Sequence, residues 1–222
     1  MLPSIQKALF MTNKYAGPKN VMPQMPLFGI AANLQVEHNY FFALSPDAEV
    51  RTQLSQVANN LKANDALNGS WVASEHYHLI LHHLGQFPAA HPDLVKRALA
   101  VASDIQLAAF NIKLDHFMSF DSKTGKFPCV LTSKYELPEL KNFWQELKNN
   151  LLAQRLGQNA ENTFIPHTTL LYSRQPVLKT HAITPIQWPV KDFVLIESLV
   201  GRSEHIELGR WPLLAGGPSR PE

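Results

Sequence analysis

The chain has a single cysteine, Cys129, in 222 residues. It can build neither an intramolecular disulfide nor a multi-cysteine zinc site, which fits a reducing compartment. An excess of one charge is also missing. Twenty Lys and Arg against eighteen Asp and Glu leave a net charge of +2, too little for a protein that coats nucleic acid by charge alone. A local basic groove could still hold a short anionic substrate. No run approaches eighteen apolar residues, so no membrane span is expected. Acid is absent before Glu37, where Lys7, Lys14 and Lys19 are scattered among Met and Pro. That segment also lacks Arg and the continuous apolar core of a secretory signal. We read residues 1–37 as a tail or strap, 38–214 as the folded domain and 215–222 as a C-terminal tail. A cytoplasmic monomer is the expectation.

What is present is enough for a core: 45% of the chain is apolar. "HNYFFALS" reads as a buried strand. Ser45 then caps a helix with Pro46 at its first position, Asp47 and Glu49 in its first turn, and Val50, Leu54, Val57, Ala58 and Leu61 on one face to about Ala63. "YHLILHHLG" is a second strand ended by Gly85, followed by a helix from Pro92 to about Leu107. "FNIKLDHFMSF" and "FPCVLTS" form a hairpin around "DSKTGK". Pro138 opens a helix closed by Gly157. "IPHTTLLYS" is a strand, and two antiparallel strands flank the turn at Gly201 to Ser203. Two similar halves emerge. The expected fold is α+β: a bilobal, pseudo-twofold pair of antiparallel sheets with helices outside and a central cleft.

"EHYHLILHHLG", Glu75 to Gly85, holds four histidines. In a strand, residues two apart share a face, so His78 goes with Ile80 and, two further on, His82. In "HTTL", His167 goes with Thr169. If the halves are related by a pseudo-twofold, both imidazoles reach one cleft, as needed for one to remove a proton while the other delivers one.

These tetrads, His78 to Leu81 and His167 to Leu170, lie 89 residues apart. They resemble the two His-x-Thr/Ser-hydrophobic motifs of the 2H phosphoesterases, in particular the RNA 2′,3′-cyclic phosphodiesterase branch, also called the 2′-5′ RNA ligase family. "YFFALSPDAEVRTQL", "HYHLILHHLG", "FIPHTTLLYS" and "ELGRWPL" carry the likeness from Tyr40 to Leu213. The resemblance implies metal-independent opening of a 2′,3′-cyclic phosphate on RNA or a nucleotide to leave a 2′-phosphate, with no cofactor. It assigns His78 as proton donor and His167 as proton acceptor, roles the sequence alone leaves exchangeable, with the Thr169 hydroxyl donating to a phosphate oxygen. The partner is then an RNA end or nucleotide.

Two departures from the family pattern stand out. Ile80 occupies the first motif's Thr/Ser place and removes a phosphate donor, for which His82 is a candidate substitute. Tyr172 stands five residues beyond His167, where relatives often carry Arg, and could stack on a base or bond a phosphate; His83 is its counterpart in the first motif, another flat ring for a base. Weighed against these roles, His76, His82 and His83 are more ordinarily cleft-lining or strand-edge side chains. A zinc site of His76, His78 and His82 would spread its ligands too far along a strand. His91, His181 and His205 read as surface residues, and Phe143 and Trp144 as core. One or two of Tyr40, Phe41 and Phe42 should also be core, with a base pocket as the alternative. Lys123 and Lys126 read as a solvated turn, with contact to an RNA backbone as the alternative. The rival to an enzyme is a noncatalytic RNA-end or nucleotide binding module in which Ile80 marks a decayed site; a 2′-5′ phosphodiesterase or ligase activity is the neighbouring chemistry.

Overall fold

The computed structural model describes residues 36–64, 67–159, 163–177 and 180–215. The expected tails lie outside them, apart from Val36, Glu37 and Ala215. Among the described residues nine strands and three α-helices follow one another: β1 (His38–Leu44), α1 (Ala48–Asn64), β2 (Gly69–Trp71), β3 (Leu79–Phe87), α2 (Pro92–Ser103), β4 (Phe110–Ser119), β5 (Phe127–Thr132), α3 (Pro138–Ala153), β6 (His167–Ser173), β7 (His181–Val190), β8 (Asp192–Leu199) and β9 (Glu204–Pro212). They form two antiparallel sheets, ordered β3-β1-β8-β9 and β2-β6-β5-β4-β7. The α+β architecture is the one expected, and β3 of the first sheet adjoins β6 of the second.

The main core takes one face of each sheet. Tyr40, Phe42 and Leu44 from β1 join Leu54 and Ala58 of α1, Ala98 and Val101 of α2, and Phe143 and Leu147 of α3. Phe41 and Ala43 point the other way and pack with Val194, Ile196 and Ile80. The alternation of β1 thus separates a helix-covered face from the face that carries the site. All three rings of its aromatic run are buried: Tyr40 and Phe42 belong to the main core, and Phe41 to the smaller apolar cluster on the other face.

Several local expectations change. The cap of α1 is Asp47, whose Oδ1 accepts from the Val50 amide at 3.0 Å, so the helix starts after Ser45 and Pro46. Helix α2 ends at Ser103 rather than Leu107, and α3 at Ala153 ahead of Gly157. Gly85 does not end β3; it lies within the strand at φ +139° opposite Tyr40. Strands β2 and β7 escape the sequence reading. β2 is three residues long, and β7 contains Pro185 and Pro189, which an edge strand tolerates because one side of its backbone needs no partner.

Candidate active site

Both tetrads sit where a strand slips by one residue. In β3, Ala43 pairs with Ile80 and Phe42 with His82, leaving Leu81 as an extra residue. In β6, Thr169 pairs with Val130 and Leu171 with Cys129, leaving Leu170 extra. A bulge of one residue reverses the alternation beyond it. After Leu81 the residue sharing the face of Phe41 is His83, and after Leu170 it is Tyr172. The residue five beyond each histidine therefore returns to the histidine's face for the same reason in both motifs.

This bulge corrects the expectation for His82. It pairs with Phe42 on the helix-covered face, is 2% exposed, stacks on Trp144 and bonds the Trp144 carbonyl through Nε2 at 2.8 Å. Burial, ahead of the charge of Lys148, pushes its pKa down to about 4. It is a core side chain and cannot stand in for the donor missing at Ile80. His76 lies in a short 3-10 turn before β3, so His76, His78 and His82 do not share one strand face.

His78 and His167 are held alike. The Nδ1 of His78 faces the His76 carbonyl oxygen at 2.6 Å, and that of His167 faces the Ile165 carbonyl oxygen at 2.8 Å. A carbonyl can only accept, so Nδ1–H donates, and in the neutral ring Nε2 is left with its lone pair. Burial lowers the pKa of both, that of His78 to about 4; the charges of His205, His167 and His83 lower it further, against the bond to His76. The charge of His167 is thus felt at His78 across the sheets. His83 is lowered by burial and by His167. Phe41 lies 5.1 Å from the His78 ring and 5.8 Å from that of His83, and Phe120 meets His167 edge-on at 4.8 Å.

Thr169 and Tyr172, the latter 44% exposed, share the His167 face; burial raises the Tyr172 pKa and the Thr169 hydroxyl works against it. Ile80, by contrast, packs into the apolar group of Phe41, Ala43, Val194 and Ile196. The donor arrangement is one-sided: β6 offers a hydroxyl and β3 a hydrocarbon.

The sequence reading missed His205. Instead of lying on the surface, its ring packs 4.4 Å from that of His76 and edge-on to His78 at 5.4 Å. Burial and His76 lower its pKa to about 4. Nothing local announces this, because β9 reaches the site only through its pairing with β8. His91 is also more than a surface residue: its Nδ1 caps α2 by accepting from the Leu94 amide.

Two cavities of about 470 and 460 Å³ lie elsewhere, one between α1 and β7 and one beside Tyr40, His91 and Glu197. Neither is lined by a tetrad residue. The histidine pair is the better candidate, because acid–base chemistry depends on placed proton carriers rather than on the size of a hollow.

The family described as LigT like phosphoesterase matches residues 44–130, a span that includes the first tetrad. Solved structures match over more of the chain. E. coli LigT in its apo form is 25% identical, with a TM-score of 0.63 over 80% of this chain and 98% of that one. The chain thus resembles the LigT-like phosphoesterases, over part of its sequence and in its fold. The same relative complexed with 3′-AMP matches at 24% identity and a TM-score of 0.61, over 80% and 98% of the two chains. The protein TT0787 of Thermus thermophilus shares the fold at 19% identity, with a TM-score of 0.63 over 81% and 100%. No curated protein sequence matches the chain. Among its described residues no helix is long and apolar enough to cross a membrane.

Proposed function

We propose that this protein is a phosphoesterase of the LigT-like type that opens the 2′,3′-cyclic phosphate of an RNA end or nucleotide to a 2′-phosphate, using two histidines and no metal. The observation that carries the reading is the matched pair of rings, each with Nδ1–H given to the carbonyl two residues earlier and Nε2 available to substrate. One neutral Nε2 takes a proton from water as its oxygen attacks phosphorus. The other ring, as imidazolium, gives a proton to the departing 3′ oxygen. Protons balance, and each role is typically worth about 10² to 10⁴ in rate. By the family resemblance His78 is the donor and His167 the acceptor. An approaching phosphate anion favours the imidazolium that burial otherwise suppresses. The Thr169 hydroxyl and Tyr172 phenol donate to nonbridging oxygens, and His83 offers a ring for the base.

The test is turnover of a 2′,3′-cyclic mononucleotide in the presence of a chelator. Hydrolysis to the 2′-phosphate that falls at least about 10²-fold in both His78→Ala and His167→Ala supports the reading. A 3′-phosphate product, or turnover unaffected by either change, overturns it. Profiling a 2′-5′ linked dinucleotide in the same assay separates the neighbouring phosphodiesterase chemistry.

A second reading draws on Ile80. Its packing into a wholly apolar group leaves the first motif without a phosphate donor, as in a module that binds nucleotide ends without cleaving them. Such a module would hold a cyclic nucleotide and release no product.

A further inference from the structure

The His167 side of the site continues along its sheet. His167 pairs with Thr132 on β5, and Thr132 pairs with His116 on β4. Directly paired residues share a face, so His116 lies in the same row as His167, two strand spacings or about 10 Å away. Its Nδ1 donates to Asp115 Oδ1 at 2.7 Å, which leaves Nε2 available. Asp115 is the residue at which β4 slips against β7, and its carboxylate is already engaged. The Lys134 amide donates to Oδ1 at 2.9 Å, and Lys113 Nζ lies 3.4 Å from Oδ2. Burial works against its charge, yet these bonds hold the carboxyl below its ordinary range.

Beyond the paired stretch, Lys113 is three residues before His116 and Tyr135 three after Thr132, so the two continue the same register. Lys113 Nζ sits 4.6 Å from the centre of the Tyr135 ring. Tyr135 nevertheless remains 61% exposed, a large aromatic left in water at the end of the sheet from which His167 emerges. A cation-flanked, exposed ring in line with a phosphate-handling histidine is the combination that holds single-stranded nucleic acid, by stacking a base and attracting the backbone.

We propose that Tyr135, with Lys113 and His116, forms a subsite for the nucleotide preceding the terminal phosphate, which makes the substrate the end of a single-stranded oligoribonucleotide. This deepens the reading above and rests on it for the position of the terminal phosphate.

The test compares binding of a nucleoside 3′-monophosphate with that of a trinucleotide ending in a 3′-phosphate. The full chain should prefer the trinucleotide by about five- to hundredfold, the range for stacking one base on an aromatic ring. Tyr135→Ala should bring that ratio close to one, and Tyr135→Trp should keep it. Equal affinities in the parent chain, or a ratio that survives Tyr135→Ala, overturns the subsite. Because the readout is binding, it is independent of hydrolysis. A retained ratio without turnover defeats only the proposed reaction, and turnover without a ratio defeats only the subsite.

Discussion

The ring of His205, carried by β9, meets the ring of His78 edge-on with centroids 5.4 Å apart. It helps to shield His78 from water and adds a charge-sensitive neighbour, and both effects lower the His78 pKa. His205→Ala should therefore raise that pKa, readable as a shift of the His78 ring proton in an NMR titration. It should also move the optimum of kcat/KM to higher pH. An unchanged titration would show that His205 is packing alone.

The pH profiles of kcat and kcat/KM should differ. In the free protein both tetrad histidines titrate below 6.5, His78 near 4. The singly protonated form becomes commoner as pH falls from 7, so kcat/KM should peak below 6.5. Bound phosphate favours the imidazolium, so kcat should peak at higher pH. Coincident profiles would refute this.

Ile80→Thr restores a hydroxyl to the first motif. Preorganised donors of this kind are worth about 10² to 10³ in rate, so turnover should rise by at least about tenfold. Trading the Ile80 packing against Phe41 and Val194 for a hydroxyl should cost roughly 1 kcal/mol of stability. Steady-state kinetics and thermal unfolding on one preparation measure both.

Thr168 is fully buried, and its hydroxyl has no hydrogen-bond partner among the described residues. Thr168→Val keeps the β-branch the strand favours and removes an unpaired polar atom. The protein should gain about 1 kcal/mol, or roughly 2 to 4 °C in Tm. A lower Tm would mean that the hydroxyl is satisfied after all.

Stability should fall in acid. His78, His82 and His205 are pushed down to about 4 in the folded chain, whereas unfolded histidine titrates near 6.5. The unfolded state therefore binds more protons below 6.5, and stability is lost as pH falls from 6.5 towards 4. For His82 alone, which is almost fully buried, the loss is roughly 3 kcal/mol. Tm measured at pH 7, 6, 5 and 4.5 should decline steadily, and a flat series would contradict the burial of these rings.

Much of this was legible in the chain. The apolar spacing of α1 and the prolines that open α2 and α3 placed the helices. The tetrads of His78 and His167 marked the two strands that adjoin, because these signals are local and a strand or helix face repeats with a short period. The faces of residues beyond the tetrads were not legible. Simple alternation placed His82 beside Ile80, but the extra residue at Leu81 sends His82 into the core and brings His83 to the face of His78. A bulge leaves no mark in a run as uniformly apolar and imidazole-rich as "LILHHL". His205 and the row from His167 through Thr132 to His116 depend on which strands pair and in what register. Those contacts join residues far apart in sequence, so composition and periodicity determined the elements and the candidate acid–base pair, and only strand pairing in three dimensions decided which other side chains surround it.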